Sequence, residues 1–160
     1  MTKDDYAQYL NQISVPIYSL FDKVPADKLE WSPAGAKFMP LGALLRHLAA
    51  CPGLISVIAK NQFPDAETLK KLIADNDNLR ATPAEAQALL KQTLAQALAD
   101  IAALSDEDYK NKMVSAPFAT LPMWRMLLAG SEHLLNHKMQ LYMYLKILGK
   151  PVGWMDLLKK

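Results

Sequence analysis

Three histidines occur in the 160-residue chain, His47, His133 and His137, and two of them stand four positions apart in the stretch SEHLLNHKMQ. On a helix, side chains at i and i+4 lie about 5–6 Å apart, close enough for two imidazoles to reach one ion. A third imidazole from a facing helix would complete a three-nitrogen set. Three protein ligands leave a fourth position for water or substrate, the pattern of catalytic rather than closed structural zinc. The competing reading is that each histidine is a core residue satisfied by its own hydrogen bond, as single histidines on apolar faces usually are. Three histidines in a chain of this length produce a pair at a spacing of four only about once in thirty by chance, so spacing alone leaves both readings open.

Several other chemistries are set aside by what surrounds the pair. HLLNH lacks the glutamate of H-E-x-x-H, which argues against a zincin-type peptidase. The Glu-x-x-His motifs of di-iron bundles are missing near these histidines. There is no C-x-x-C-H for haem attachment, and methionines at helical spacing are more often core filler than axial ligands. Gln140 and Tyr144 share the histidine stripe, where they could orient a water or substrate or simply pack. Cys51 lies one turn beyond His47. It could be a fourth ligand or a redox-sensitive neighbour, but a lone buried cysteine more often acts as a small apolar residue. Asn136 falls off the stripe and is expected at the surface. No general base is evident.

Helical geometry assigns the histidines to faces. At about 100° per residue, Met126, Gly130, His133, His137, Gln140, Tyr144 and Leu148 form one stripe, beside Leu127, Leu134, Leu141 and Leu145. Glu132, Lys138 and Lys146 lie away from it. His47 shares its face with Leu44, Cys51, Leu54 and Ile58, so all three imidazoles are expected to point inward. The helix carrying the pair should run from about Leu121 to Leu148, closed by Gly149 and Pro151. The helix carrying His47 should run from Pro40 to about Asn61, bent at Pro52–Gly53. A first helix is expected from Lys3 to Lys23, kinked or broken at Pro16. VPADKLEWSPAGAKFMP reads as a long ordered connection with a turn at Pro25–Leu29, its Trp31 packing onto the bundle. A short helix is expected over Asp65–Ala74, followed by a DNDN loop. Thr82, Pro83 and Glu85 form a capping box that starts another long helix, ending near Ser105. SDEDYKNKMVSAPFATLP reads as a polar connection, and no run of β-branched residues suggests a strand. The tail should form one further turn, with Trp154 packing back. One domain over 1–160, an all-α four-helix bundle with long connections, is the simplest architecture.

Composition narrows the function classes. The chain is 51% hydrophobic and 21% charged with a formal net charge of +2. Its basic residues are scattered, which gives no support for nucleic-acid binding. The N-terminus, MTKDDYAQYL, is not a secretory signal. No apolar run reaches the roughly 18 to 20 residues of a spanning helix, so no membrane role is expected. One cysteine excludes an intrachain disulfide and fits a reducing compartment. A soluble, cytoplasmic protein is expected. Apolar residues around Trp124 and at Trp154 and Leu157 could serve a dimer interface.

Two segments carry a family resemblance. LEWSPAGAKFMPLGALLRHLA is similar to the tryptophan–proline loop and histidine-bearing helix of the DinB/YfiT-like superfamily of four-helix-bundle metalloenzymes. EHLLNHKMQLYMYLKILGKPV is similar to that family's last helix: two histidines four apart, a glutamine, a tyrosine-containing apolar stretch and a closing glycine. The order of parts matches along essentially the whole chain. The resemblance implies a DinB-like bundle in which His47, His133 and His137 hold one divalent metal, commonly zinc or nickel, with Gln140 at the family's glutamine position. The family's Arg-Gly before that glutamine is replaced by Lys138–Met139, a departure from its typical members. Family activities include bacillithiol S-transfer, mycothiol-dependent isomerisation and metal-dependent hydrolysis, and members are often dimers. The expected function is therefore a metal-dependent enzyme, thiol S-transferase-like or hydrolase-like, acting on a small molecule, with a low-molecular-weight thiol as candidate co-substrate. A non-catalytic, dimeric metal- or ligand-binding stress-response protein is the alternative.

Overall fold

A computed structural model describes residues 1–34 and 37–158, less the side chains of residues 76 and 77. Residues 35–36, within the expected ordered connection, and 159–160, at the end of the tail, lie outside the described residues. In chain order come α1 (Lys3–Phe21), a 3-10 turn (Ala26–Lys28), α2 (Leu41–Lys60), α3 (Ala66–Asp77), α4 (Pro83–Ala103), α5 (Asp106–Asn111), β1 (Met113–Ala116), β2 (Ala119–Pro122), α6 (Met123–Ile147) and a 3-10 turn (Trp154–Leu157). The expected all-α bundle is present, built from α1, α2, α4 and α6. α2 packs against both α4 and α6, and α1 closes the other side against the same two helices.

α2 is the apolar centre of this arrangement. By length and composition it is apolar enough to cross a bilayer, counter to the expectation that no segment would be. Most of it is buried inside the bundle, as suits a helix that is hydrophobic on nearly all sides. Neither proline breaks its helix: Pro16 lies inside α1 and Pro52 inside α2. A proline removes one backbone bond and disturbs the preceding turn. Here side chains from neighbouring helices bond a carbonyl three residues before each proline. Thr93 Oγ1 on α4 donates to the Ala49 carbonyl at 2.7 Å, and Lys138 Nζ on α6 donates to the Ile13 carbonyl at 3.3 Å. Lys138 does lie off the histidine stripe, but it is buried, and burial lowers its pKa.

Local signals set most helix ends. Thr82 and Glu85 form the expected capping box, with Glu85 N–H donating to Thr82 Oγ1 at 3.3 Å and Thr82 N–H to Glu85 Oε2 at 2.7 Å. Gly149, at φ +70°, ends α6, with Lys150 N–H donating to the Leu145 carbonyl and Gly149 N–H to the Lys146 carbonyl. This is the left-handed closure that favours glycine. α3 runs through most of the DNDN stretch expected as a loop.

The connection after α4 departs furthest from expectation. Ser105 caps α5 by accepting from Asp108 N–H at 2.9 Å, and an antiparallel hairpin follows with Met113 opposite Pro122 and Ala116 opposite Ala119. Four-residue strands without a β-branched run carry little sequence signal. Burial of Val114 in the core supplies the tertiary contact that holds them. Trp31 packs as expected, edge-on to Tyr144 at 5.6 Å. Trp154 does not: it is 67% exposed, and the tail is tied down instead by Asp156, whose carboxylate pairs with Lys23 at 2.8 Å.

Candidate metal centre

Two helices bring the three histidines together. α2 supplies His47, and α6 supplies His133 and His137 one turn apart. One ring nitrogen from each lies within 4.8 Å of the other two. His47 Nε2 and His133 Nε2 are 3.0 Å apart, and the three rings meet edge to face. The approach depends on Gly130, one turn before His133. A Cβ there would sit 2.5 Å from Ile55 Cδ1 and 3.1 Å from Ile58 Cδ1, so any side chain would require those isoleucines to repack or the helices to part.

The electrostatics favour neutral rings. Burial, followed by the proximity of His137 and Arg46, lowers the pKa of His47 to about 4. Burial, followed by His137 and His47, does the same for His133. Both are therefore uncharged at pH 7, the form in which imidazole donates a lone pair. His137 is oriented from its other nitrogen. Its Nδ1 donates to Gln140 Oε1 at 2.9 Å, which leaves Nε2 as the lone-pair nitrogen. Gln140 Nε2 donates to the Tyr144 hydroxyl at 3.1 Å, and that hydroxyl donates to the Met39 carbonyl at 3.0 Å. Gln140 and Tyr144, which the sequence left between packing and orienting roles, thus form a chain that fixes one histidine. Such outer partners set ring orientation and basicity in metal sites.

The donor set fits a divalent cation. Bonds of about 2.0–2.1 Å in tetrahedral geometry separate two nitrogen ligands by roughly 3.3 Å, close to the His47–His133 distance. Three histidines could therefore hold one ion with a position to spare. Cys51 does not join them. Its thiol donates to the His47 carbonyl at 3.3 Å, and burial pushes its pKa up to about 12, so it stays protonated and behaves as a small apolar residue. Asn136 is exposed, as expected.

A cavity of about 520 Å³ opens beside the cluster, with His47 and His133 in its wall. Its remaining lining includes Leu54, Ile58 and Met126 from the bundle and Phe63, Ile73 and Phe118 from outside it. These last three escaped the sequence reading. They come from a loop, from α3 and from the hairpin turn, and their only signal was an apolar residue in polar surroundings. Trp124 and Trp154 are both exposed, at 40% and 67%.

Comparison with known proteins accords with this architecture. No curated protein sequence matches the chain. Among solved structures, it is similar to a DinB-like protein, YjoA, from Bacillus subtilis, with a TM-score of 0.67 and 17% identity over 91% of this chain and 92% of that one. It is also similar to a mycothiol-dependent maleylpyruvate isomerase, with a TM-score of 0.60 and 14% identity over 98% of this chain and 65% of that one. At such identities the likeness speaks for the fold. The family profile described as the DinB superfamily matches residues 17–141, most of the length and all three histidines, and the chain belongs to that superfamily.

Proposed function

We propose that this protein is a metal-dependent enzyme, within one domain, whose centre is a divalent ion held by His47, His133 and His137. Zinc and nickel are the candidate ions. The observation that carries the reading is the convergence of three ring nitrogens within 4.8 Å, with His47 and His133 in the wall of an open cavity. An ion held there would supply positive charge that acidifies a neighbouring thiol or water and steadies negative charge developing on a substrate. The chain's own residues orient and shape. Gln140 keeps the Nδ1 proton of His137 in place, and the apolar wall shapes the space beside His47 and His133 that a substrate would enter.

Thiol transfer is favoured over hydrolysis. No carboxylate is found among the residues that line the cavity, so a general base for water is missing from that wall. A thiol, with a free pKa of about 8.5, becomes a strong nucleophile beside a bound ion without a general base. The mycothiol-dependent isomerase that shares this fold also uses a thiol. The non-catalytic alternative calls for a sealed site, and the cavity beside His47 and His133 argues against it. A homodimer in the cytoplasm belongs to the same reading, supported by the exposed Trp124 and the free thiol of Cys51.

The test is elemental analysis of the purified protein and metal titration of the stripped form, with His47→Ala and His133→Ala alongside. One ion per chain in the wild type, lost in both variants, is the expected result. Wild-type protein that binds no divalent ion under any condition would overturn the reading.

A further inference from the structure

The cavity next to the histidines has a chemical character of its own. Among the side chains that line it, only His47 and His133 present a nitrogen or oxygen atom; the rest are aliphatic, aromatic or sulfur-containing. It extends along α2 from His47 to Ile58, roughly 16 Å at the helical rise per residue. Its volume of about 520 Å³ lies within the range of small-molecule sites. A charged or hydroxyl-rich group seated in its apolar part would lose its hydration and find no partner there.

The rim supplies a second, independent observation. Ile73 on α3 and Phe118 at the hairpin turn both belong to the cavity wall, yet they are 52% and 67% exposed. Phe118 meets Phe63 edge to face at 6.0 Å across the mouth. Large apolar side chains left in water around a cavity mouth are what an apolar occupant would cover. α3 is suited to adjust around such an occupant. It packs against α2, and none of its described side chains is fully buried.

We infer that this cavity receives an uncharged hydrocarbon or aromatic body of the substrate, seated between Phe63, Ile73 and Phe118 at one end and with its reacting atom at His47 and His133 at the other. The inference deepens the function proposed above and rests on it only for the reacting end. It also divides the two substrates of a thiol transfer. The apolar electrophile occupies the cavity, and the polar body of a thiol co-substrate stays outside it.

The experiment uses the full chain with its metal content measured on each preparation. N-phenyl-1-naphthylamine, an uncharged fluorescent probe, is titrated into the wild type and then displaced with 1-alkanols of increasing length and with glucosamine. One saturable site per chain is expected. Displacement should strengthen about threefold to fourfold per added methylene. Glucosamine should not compete. Ala50→Phe, which fills the cavity from α2, should weaken probe binding at least tenfold. Phe118→Ser, at an exposed position that leaves the core untouched, should weaken it several-fold even if Ala50→Phe does not fold. Absence of a saturable site, binding unchanged in Phe118→Ser and in folded Ala50→Phe, or competition by glucosamine equal to that of 1-octanol would overturn the inference. Probe binding that persists in a protein unable to bind metal would leave the apolar cavity standing and remove the metal reading. Metal bound without any probe site would do the reverse.

Discussion

His47 and His133 make the cluster sensitive to acid in a defined direction. Both are held near pKa 4 in the folded protein, against 6.5 for an unperturbed imidazole. The unfolded chain therefore takes up protons first as pH falls. The stability tied to these two groups is complete above about pH 6.5 and is lost progressively down to about pH 4. Metal-stripped wild type should show a falling Tm across that window, and a His47→Gln, His133→Gln double variant should show a shallower fall. Parallel curves would mean that the two rings titrate normally. Gln140 acts through His137 rather than on substrate. Gln140→Leu should reduce metal affinity about 10- to 100-fold, the usual effect of losing an outer partner, with an unchanged circular dichroism spectrum. Metal titration of that variant is the check. Gly130 allows the helices to meet, so Gly130→Leu should destabilise the fold by about 1–3 kcal/mol in urea unfolding and weaken metal binding as well.

At the level of the helices, side chains of neighbouring helices reach the backbone beside both internal prolines. Thr93 and Lys138 each bond a carbonyl close to a proline in the next helix. Lys138 thus stands where a buried lysine would otherwise be costly, its ammonium used to satisfy α1. Lys138→Met keeps the apolar stem and removes the donor to the Ile13 carbonyl. It should cost about 1–3 kcal/mol in chemical unfolding. An unchanged unfolding midpoint would show that this bond adds nothing to stability. The family resemblance treats Lys138 only as a departure beside the glutamine, and its packing against α1 gives that departure a structural reason.

For the whole molecule, the site ties together two helices whose histidines lie 86 positions apart in the chain. A ligand that binds the folded form alone stabilises it by about 2.7 kcal/mol at a hundred times its Kd. In a protein of this size that corresponds to a Tm rise of roughly 5–10 °C. Thermal unfolding with zinc and then with a chelator should show that shift in the wild type and lose it in His133→Ala. A shift that survives in His133→Ala would place the metal elsewhere.

The sequence by itself determined the helices and the candidate ligands. Periodicity, the Thr82–Glu85 cap and the Gly149–Pro151 stop are local features, and a spacing of four puts His133 and His137 on one face wherever the helix lies. The same locality explains the failures. The hairpin at 113–122 is held by contacts with distant residues, which no window of sequence contains, and of the kink or break expected at Pro16 the break does not occur. Trp154 was expected to pack because it is large and apolar, but residue type alone does not say whether a neighbour offers it a place. Tertiary structure alone brought His47 to the other two and joined Gln140 to His137 and Tyr144. It also gathered Phe63, Ile73 and Phe118 from three separate segments around one cavity. Pairing along a helix is fixed by its repeat, whereas convergence between helices depends on how their faces pack, and here Gly130 lies against Ile55 and Ile58 in that contact.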